Sequence, residues 1–150
     1  KTRIDTSTLF NKGFLKALED HGIEVKPEFV LRDILSREEA YKAIPNALKD
    51  TNQLPTAIYC TNHYLVEGVL LSLKELKVKL PEKMSIVSFG KTRAPKLIKP
   101  KLTHISYNSF KIGQFCGKIV LEMMNRKLKN RERVYRVNAE ICEGDSVKKL

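Results

Sequence analysis

Residues 55–90 read PTAIYCTNHYLVEGVLLSLKELKVKLPEKMSIVSFG, and the order of residue types in this stretch decides the fold class. Ala57, Ile58, Tyr59 and Cys60 form a short apolar run behind Pro55, the pattern of a buried strand. Asn62 follows, a favoured residue immediately before a helix. Leu65, Val69, Leu73 and Leu76 then recur on one helical face, and Gly68 permits close approach to a sheet. A charged loop closed by Pro81 leads to a second apolar, β-rich run, Ser85 to Phe89, which ends at Gly90. Strand, helix, strand in that order is a βαβ unit. Continuous apolar strands of this kind suit a parallel sheet covered by helices on both faces. The unit sets Asn62 and Gly90 near the carboxyl ends of two parallel strands, where open α/β sheets bind small ligands.

Outward from this unit the chain alternates in the same way. Phe10, Phe14, Ala17 and Leu18 predict a helix over residues 8–20, with Thr6 or Ser7 as cap and Gly22 at the position just past its end. Residues 29–31 read as a short strand. Ser36, Arg37, Glu38 and Glu39 match a capping box, which opens a helix carrying Ala40, Tyr41, Ile44 and Leu48. Pro45 inside that pattern predicts a kink or an early end. Residues 91–101 hold Pro95 and Pro100 and read as a loop. Residues 102–107 alternate as a strand. After Asn108 the chain shows its clearest helical period, with Ile112, Phe115, Cys116, Ile119, Val120 and Met123 on one face. Residues 134–142 read as a last strand.

The 150 residues with 42% hydrophobic content suit a single globular domain over 1–150 with a genuine core. No apolar run is long enough to span a bilayer and the first residues lack an apolar signal core, so a soluble, cytoplasmic protein with no membrane partner is expected. Cys60, Cys116 and Cys142 are odd in number and lack close spacing, a poor basis for disulfides or zinc. The formal charge of +11 favours anionic ligands or acidic partners without establishing nucleic-acid binding. Its densest cluster, Arg126, Lys127, Lys129, Arg131 and Arg133, reads as a solvated turn, with a phosphate or partner contact as the alternative.

A phosphate-binding loop needs glycines between strand and helix, and Cys60-Thr61-Asn62-His63 has none. His21, His63 and His104 are far apart and lack carboxylates at metal spacing, and no cofactor is expected. Cys60 and His63 resemble a thiol and base only by proximity, because Cys60 closes an apolar strand. His63 starts a helix at a strand end, where ligand contact and plain solvent exposure both stay open. For Asn62, capping alone and capping with ligand contact both stay open.

The segments KGFLKALEDHGI, EEAYKAI, PTAIYCTNHYLVEGVLLSLKELKVKLPEKMSIVSFG, PKLTHISYNSFKIGQFCGKIVLEMM and a final DSV occur in that order. In this order and spacing the chain resembles the lactose-repressor (LacI/GalR) family of bacterial transcription regulators, over the C-terminal part of their effector-binding sensor domain. The resemblance implies an α/β fold, a parallel sheet flanked by helices, like that of type I periplasmic binding proteins. It also implies a non-enzymatic sensor that shifts between open and closed lobes on binding a small-molecule effector, a sugar or sugar derivative. DNA binding by a headpiece absent from this chain and a homodimer are implied as well. If the chain is complete as given, residues 102–124 lack the lobe they usually pack on, and their apolar stripe is expected to be buried elsewhere, as by a second copy of the chain.

The family's ligand positions fall on Phe10, where an Arg is usual, on Asn62-His63, where Asn-Asp is usual, and on Gly90-Lys91, where two Asp are usual. A further contact falls near Leu35. Only Asn62 keeps its family identity. Arg and Asp hold sugar hydroxyls through charge-assisted bonds, and their loss, with His63 and Lys91 gained, makes the cleft more positive. An anionic or phosphorylated metabolite is therefore expected at Asn62, His63, Gly90, Lys91 and Phe10, or else a vestigial site with a protein partner supplying the signal. A solute-binding protein of sugar transport is the remaining alternative.

Overall fold

The βαβ unit at residues 55–90 forms as its pattern requires, and the rest of the chain builds on it. The computed structural model describes residues 6–49, 51, 54–92, 99–125 and 136–149. In chain order these form helix α1 (Thr6–Asp20), a 3-10 turn (Pro27–Phe29), α2 (Arg37–Lys49), β1 (Ala57–Cys60), α3 (His63–Glu75), β2 (Ser85–Phe89), β3 (Thr103–Tyr107), α4 (Ser109–Met124) and β4 (Ala139–Cys142). The strands lie in the order β1-β2-β3-β4. The first two pairings are parallel, and β4 runs antiparallel to β3.

Strand residues alternate between the two faces of the sheet. One face carries Cys60 and Ile86 and is covered by α2 and α3. Val66, Val69 and Leu73 of α3, Ala40 and Ile44 of α2, and Met84 and Leu102 complete this core. Val66, Leu73, Met84 and Ile86 are wholly excluded from solvent. Burying each such side chain contributes roughly 1.5–3 kcal/mol, which makes this layer the main source of stability. Gly68 lets α2 and α3 close on each other: a Cβ there would fall inside the carbonyl of Arg37. The opposite face carries Tyr59, Val87 and Phe89. Helix α1 covers it through ring contacts, Phe14 on Tyr59 at 5.0 Å and Phe10 on Phe89 at 4.4 Å between centroids. An apolar cavity of about 410 Å³ remains between α1 and the sheet, lined in part by Gly13, Phe14, Val87 and Ile105.

Local signals explain most element ends. Gly22 takes φ +67°, and the bonds Gly22 N–H to Glu19 O and Ile23 N–H to Leu18 O form a Schellman end to α1. The capping box at Ser36 forms, with Glu39 N–H donating to Ser36 Oγ and Ser36 N–H donating back to Glu39 Oε2. Asn108 caps α4 by accepting from Lys111 N–H at 2.9 Å.

One expectation fails. Residues 29–31 are not a strand: Pro27, with φ preset and no N–H of its own, opens the 3-10 turn, closed by Phe29 N–H to Lys26 O and Val30 N–H to Pro27 O. Of the kink or early end expected at Pro45, the early end does not occur: α2 runs on to Lys49. Burial of Ala40 and Ile44 against α3 outweighs the one intrahelical bond that Pro45 removes. The last strand occupies only Ala139–Cys142 of the described part of residues 134–142. The basic cluster at residues 126–133 and the loop centre at 93–98 lie outside the described residues.

The C-terminal segment closes the sheet. Ser146, fully buried, donates from Oγ to Ile86 O at 2.6 Å and accepts from Thr103 N–H at 2.8 Å, while Ile86 N–H donates to Ser146 O. Ser146→Ala leaves that carbonyl and that N–H unsatisfied in the core, so a loss of about 1–3 kcal/mol is expected in urea denaturation. In the same assay Gly68→Ala is expected to lose about 1–3 kcal/mol, because α2 must move. Gly13→Ala, which meets nothing within 4 Å, is expected to gain about 0.5–1 kcal/mol from helix propensity.

Candidate functional site

The carboxyl ends of β1, β2 and β3 all point the same way, so the residues that follow these strands meet at one edge of the sheet. After β1, Asn62 adopts an extended conformation and its Oδ1 accepts from Tyr64 N–H at 2.9 Å and Leu65 N–H at 3.1 Å. Both bonds cap α3, and the Asn62 amide NH₂ remains as the donor end of that side chain. His63 is the first residue of α3 and its ring meets that of Tyr64 at 4.0 Å between centroids, tilted by 36°.

After β2, Gly90 takes φ +85°, a backbone conformation that favours glycine. Its N–H donates to Ile105 O at 2.8 Å and its carbonyl accepts from Ser88 Oγ, which ties the turn to β3. A Cβ on Gly90 would lie 3.5 Å from His63 Nδ1, so the β1 turn and the β2 turn are in direct contact. Lys91 follows and is exposed. Phe10, from the first half of α1, reaches the same edge through Phe89.

Four of the five expected site residues are therefore joined through short contacts: Asn62 and His63 in sequence, His63 to Gly90 in space, and Phe10 through the ring of Phe89. Lys91 adjoins them by sequence. Leu35 does not join them; it is 83% exposed and its N–H serves the α2 capping box by donating to Glu39 Oε2. Two residues went unnoticed in the sequence. Phe89 and Tyr107 close β2 and β3, and their rings stack at 5.3 Å with 18° between planes. The signal was present, since each is the aromatic last residue of a strand whose end faces the site.

His21 and His104 stay structural. His21 Nδ1 pairs with Ala17 O near the end of α1, and His104 Nδ1 with Leu102 O on the sheet. Cys60 is buried, and burial pushes its thiol up to about 12, so near neutral pH it remains a protonated core group. Among the described residues no cluster of three or more His, Cys, Asp or Glu could hold a metal ion. No helix among them is long and apolar enough to cross a membrane.

Residues 2–147 match the periplasmic binding protein-like domain family. The chain is 27% identical over 137 residues to the HTH-type transcriptional repressor PurR of Pasteurella multocida, covering 91% of this chain and 40% of that protein. It is 29% identical over 141 residues to the PurR repressor of Haemophilus influenzae strain PittEE, covering 93% of this chain and 42% of that protein. Among solved structures, a LacI-type transcription regulator from Bifidobacterium animalis subsp. lactis superposes with a TM-score of 0.81 at 22% identity, over 98% of this chain and 53% of that one, a likeness of fold alone. A LacI family regulator from Enterococcus faecium, solved with bound ribose, gives a TM-score of 0.74 at 25% identity over 93% of this chain and 51% of that one. The chain thus spans about two-fifths of the two repressors and half of the two structures.

Cys60 makes an alkaline prediction. Its thiol titrates near 9 when unfolded and near 12 when folded, so its contribution is complete below pH 9 and declines as pH rises toward 12. The stability of the wild type relative to Cys60→Ala is expected to shrink by at most about 1.4 kcal/mol per pH unit above pH 9, measured by urea denaturation under reducing conditions. Burial, then the neighbouring Cys60, also raises the Tyr59 phenol, which steepens the alkaline loss in both proteins.

Proposed function

This chain belongs to the periplasmic binding protein-like family, as an effector-binding domain of the LacI/GalR type, and from that premise we propose that it is the metabolite-sensing region of a bacterial transcriptional repressor. It covers the C-terminal part of the sensor, and its headpiece for DNA lies outside these 150 residues. The observation that carries this reading is the meeting of the Asn62 turn and the Gly90 turn, with Phe10 beside them, at the carboxyl edge of the parallel sheet. Such an edge forms one wall of a ligand cleft.

The effector proposed is a small carbohydrate-related metabolite bearing an anionic or phosphate group. Asn62 donates through its amide NH₂, and Lys91 and His63 present cationic or hydrogen-bonding groups. Phe10, Gly90 and Lys91 stand where the resemblance implies Arg and two Asp for neutral sugars, and they withhold those charge-assisted bonds. The effector couples to DNA by favouring one arrangement of the sensor over another, and two copies act together on a two-fold operator. Helix α4 supports a further lobe outside this chain: it has no buried residue, and Phe110, Leu121 and Met124 are 75%, 60% and 74% exposed. The repressor names of the relatives favour a regulator over a transport protein. The +11 charge favours, as a second reading, an acidic protein partner at the same edge.

Calorimetry with paired neutral sugars and sugar phosphates tests the effector class. Saturable binding of a sugar phosphate is expected, weakened about tenfold or more by Asn62→Asp. That variant keeps the helix cap but replaces the amide donors with a negative charge. Tight binding of a neutral sugar alone rejects the anionic reading.

A further inference from the structure

β1 lies at one edge of the described sheet. Its register turns the Ile58 N–H and carbonyl toward β2, so the Ala57 and Tyr59 N–H groups point outward. Among the described residues neither N–H has an acceptor. Natural sheets guard such an edge with charge, proline or a bulge. Ala57-Ile58-Tyr59-Cys60 has none of these and pairs with β2 without a break, whereas β4 at the other edge carries Glu140. β1 thus has the composition of an interior strand.

Crossovers between parallel strands of one sheet share a single hand. α3 carries the chain from β1 to β2 over the face of Cys60 and Ile86. α2 packs on that face too and leads into β1, so its crossover steps the same way and begins beyond the free edge of β1. α1 lies on the opposite face, against Tyr59 and Phe89, so its crossover steps the other way, outward. By this geometry a strand preceding α1 sits directly beside β1, and the segment between α1 and α2 sits outside it. Phe29, Val30 and Leu31 lie in that outer segment, one strand position away from the edge of β1, and Leu31 is 43% exposed. Leu9 and Phe14 of α1 border the cavity along Ala57, Ile58 and Tyr59 yet are 57% and 40% exposed, apolar surface that a strand beside β1 would cover.

We infer that the open edge of β1 receives a parallel strand from the chain preceding α1, and that the turn after this strand forms the other wall of the effector site. Lys1, Thr2, Arg3 and Asp5 are poor residues for a strand covered on both faces, so its residues precede Lys1. The solved relatives have chain to spare for it, since this one spans about half of each. The chain leaves this strand for α1 on one face and leaves β1 for α3 on the other, so their carboxyl ends form the switch point of the sheet, where open α/β sheets hold ligands. Asn62 follows β1 at that point, and Phe10 belongs to the helix that follows the added strand. The strand stands on topology alone; only the second wall rests on the sensor reading above.

Hydrogen exchange followed by NMR tests the strand. It compares the 150-residue chain with one that also carries the about 10 residues encoded before Lys1, enough for one strand. The Ala57 and Tyr59 amides are expected to exchange about a hundredfold more slowly in the longer chain, while Ile58, already bonded to β2, changes far less. Ala57→Pro removes an outward N–H, so it is expected to be tolerated in the 150-residue chain and to abolish the added protection of Tyr59 in the longer one. Unchanged exchange at Ala57 and Tyr59 in the longer chain overturns the inference and leaves the sensor reading standing. Protection that appears in the 150-residue chain as its concentration rises places a second copy on this edge and overturns it too. For the second wall, the longer chain is expected to bind the sugar phosphate of the calorimetric screen about tenfold or more tightly than the shorter one. Equal binding by both chains overturns the wall alone, and no binding by either overturns the sensor reading with it, while the exchange result still decides the strand.

Discussion

The hydroxyl of Ser146 holds β2 and β3 together where they do not yet hold each other. These strands pair directly only from Val87↔Thr103 to Phe89↔Ile105. One residue earlier, Ile86 bonds the backbone of Ser146 instead of a strand, and Ser146 Oγ bridges Ile86 O to Thr103 N–H. The segment around it is fitted as closely. Asp145 N–H bonds Lys101 O, Gly144 N–H bonds Thr103 Oγ1, and a Cβ on Gly144 would run into the Lys101 carbonyl. Because this clamp sets where β3 starts against β2, it also sets Tyr107 beside Phe89 and Gly90 beside Ile105. The candidate site at the far end of these strands therefore depends on a buried serine at their beginning.

The two faces of the sheet are stabilised differently. On one, α2 and α3 exclude solvent from Ile86, Met84 and Leu73. On the other, α1 meets the sheet through aromatic rings and leaves an apolar cavity. The well-packed face supplies most of the stability. The looser face carries Phe10, Phe89 and Tyr107 to the site, and there a shift of α1 is resisted by ring contacts and few buried methyl groups. The mobility needed by a sensor and the residues proposed to contact its effector thus share the less stable layer.

Patterns confined to one element were legible in the sequence. The βαβ unit, the Ser36 capping box, the helix after Asn108 and the Gly22 end could each be read from residue types at fixed offsets. What could not be read depended on distant partners. Lys77 ends α3 with φ +56° and the same Schellman bonds as Gly22, Lys77 N–H to Lys74 O and Val78 N–H to Leu73 O, yet nothing about a lysine announces this. Pro45 looked like a helix breaker because the burial that outweighs it comes from α3. Pro27 turned an apolar triplet away from the sheet. The antiparallel direction of β4 and the role of Ser146 depend on how the chain returns to β3, which no local periodicity encodes. For the candidate site, Asn62, His63, Gly90, Lys91 and Phe10 were named from strand-end position and resemblance. Phe89 and Tyr107 were read only as strand positions, because the ring contact between two strand ends depends on their pairing across the sheet.

Backbone geometry constrains the chemistry of this edge further. Gly90 sits at φ +85°, with His63 Nδ1 3.5 Å from where a Cβ would be. An acidic side chain at position 90, as the resemblance implies for sugar-binding members, would sit in a left-handed backbone conformation that favours glycine, with its first carbon in van der Waals contact with the His63 ring. Asn62 Oδ1 is already committed to two α3 amides, so Asn62 offers a ligand only its NH₂. The turn pair thus lacks carboxylate acceptors for sugar hydroxyls and retains donors. Asp at 90 alone would still leave Phe10 and Lys91 in place of the Arg and the second Asp that the resemblance implies, so it would not rebuild a neutral-sugar site. The anion preference we propose accordingly rests on the backbone of the β2 turn as well as on the charge of Lys91.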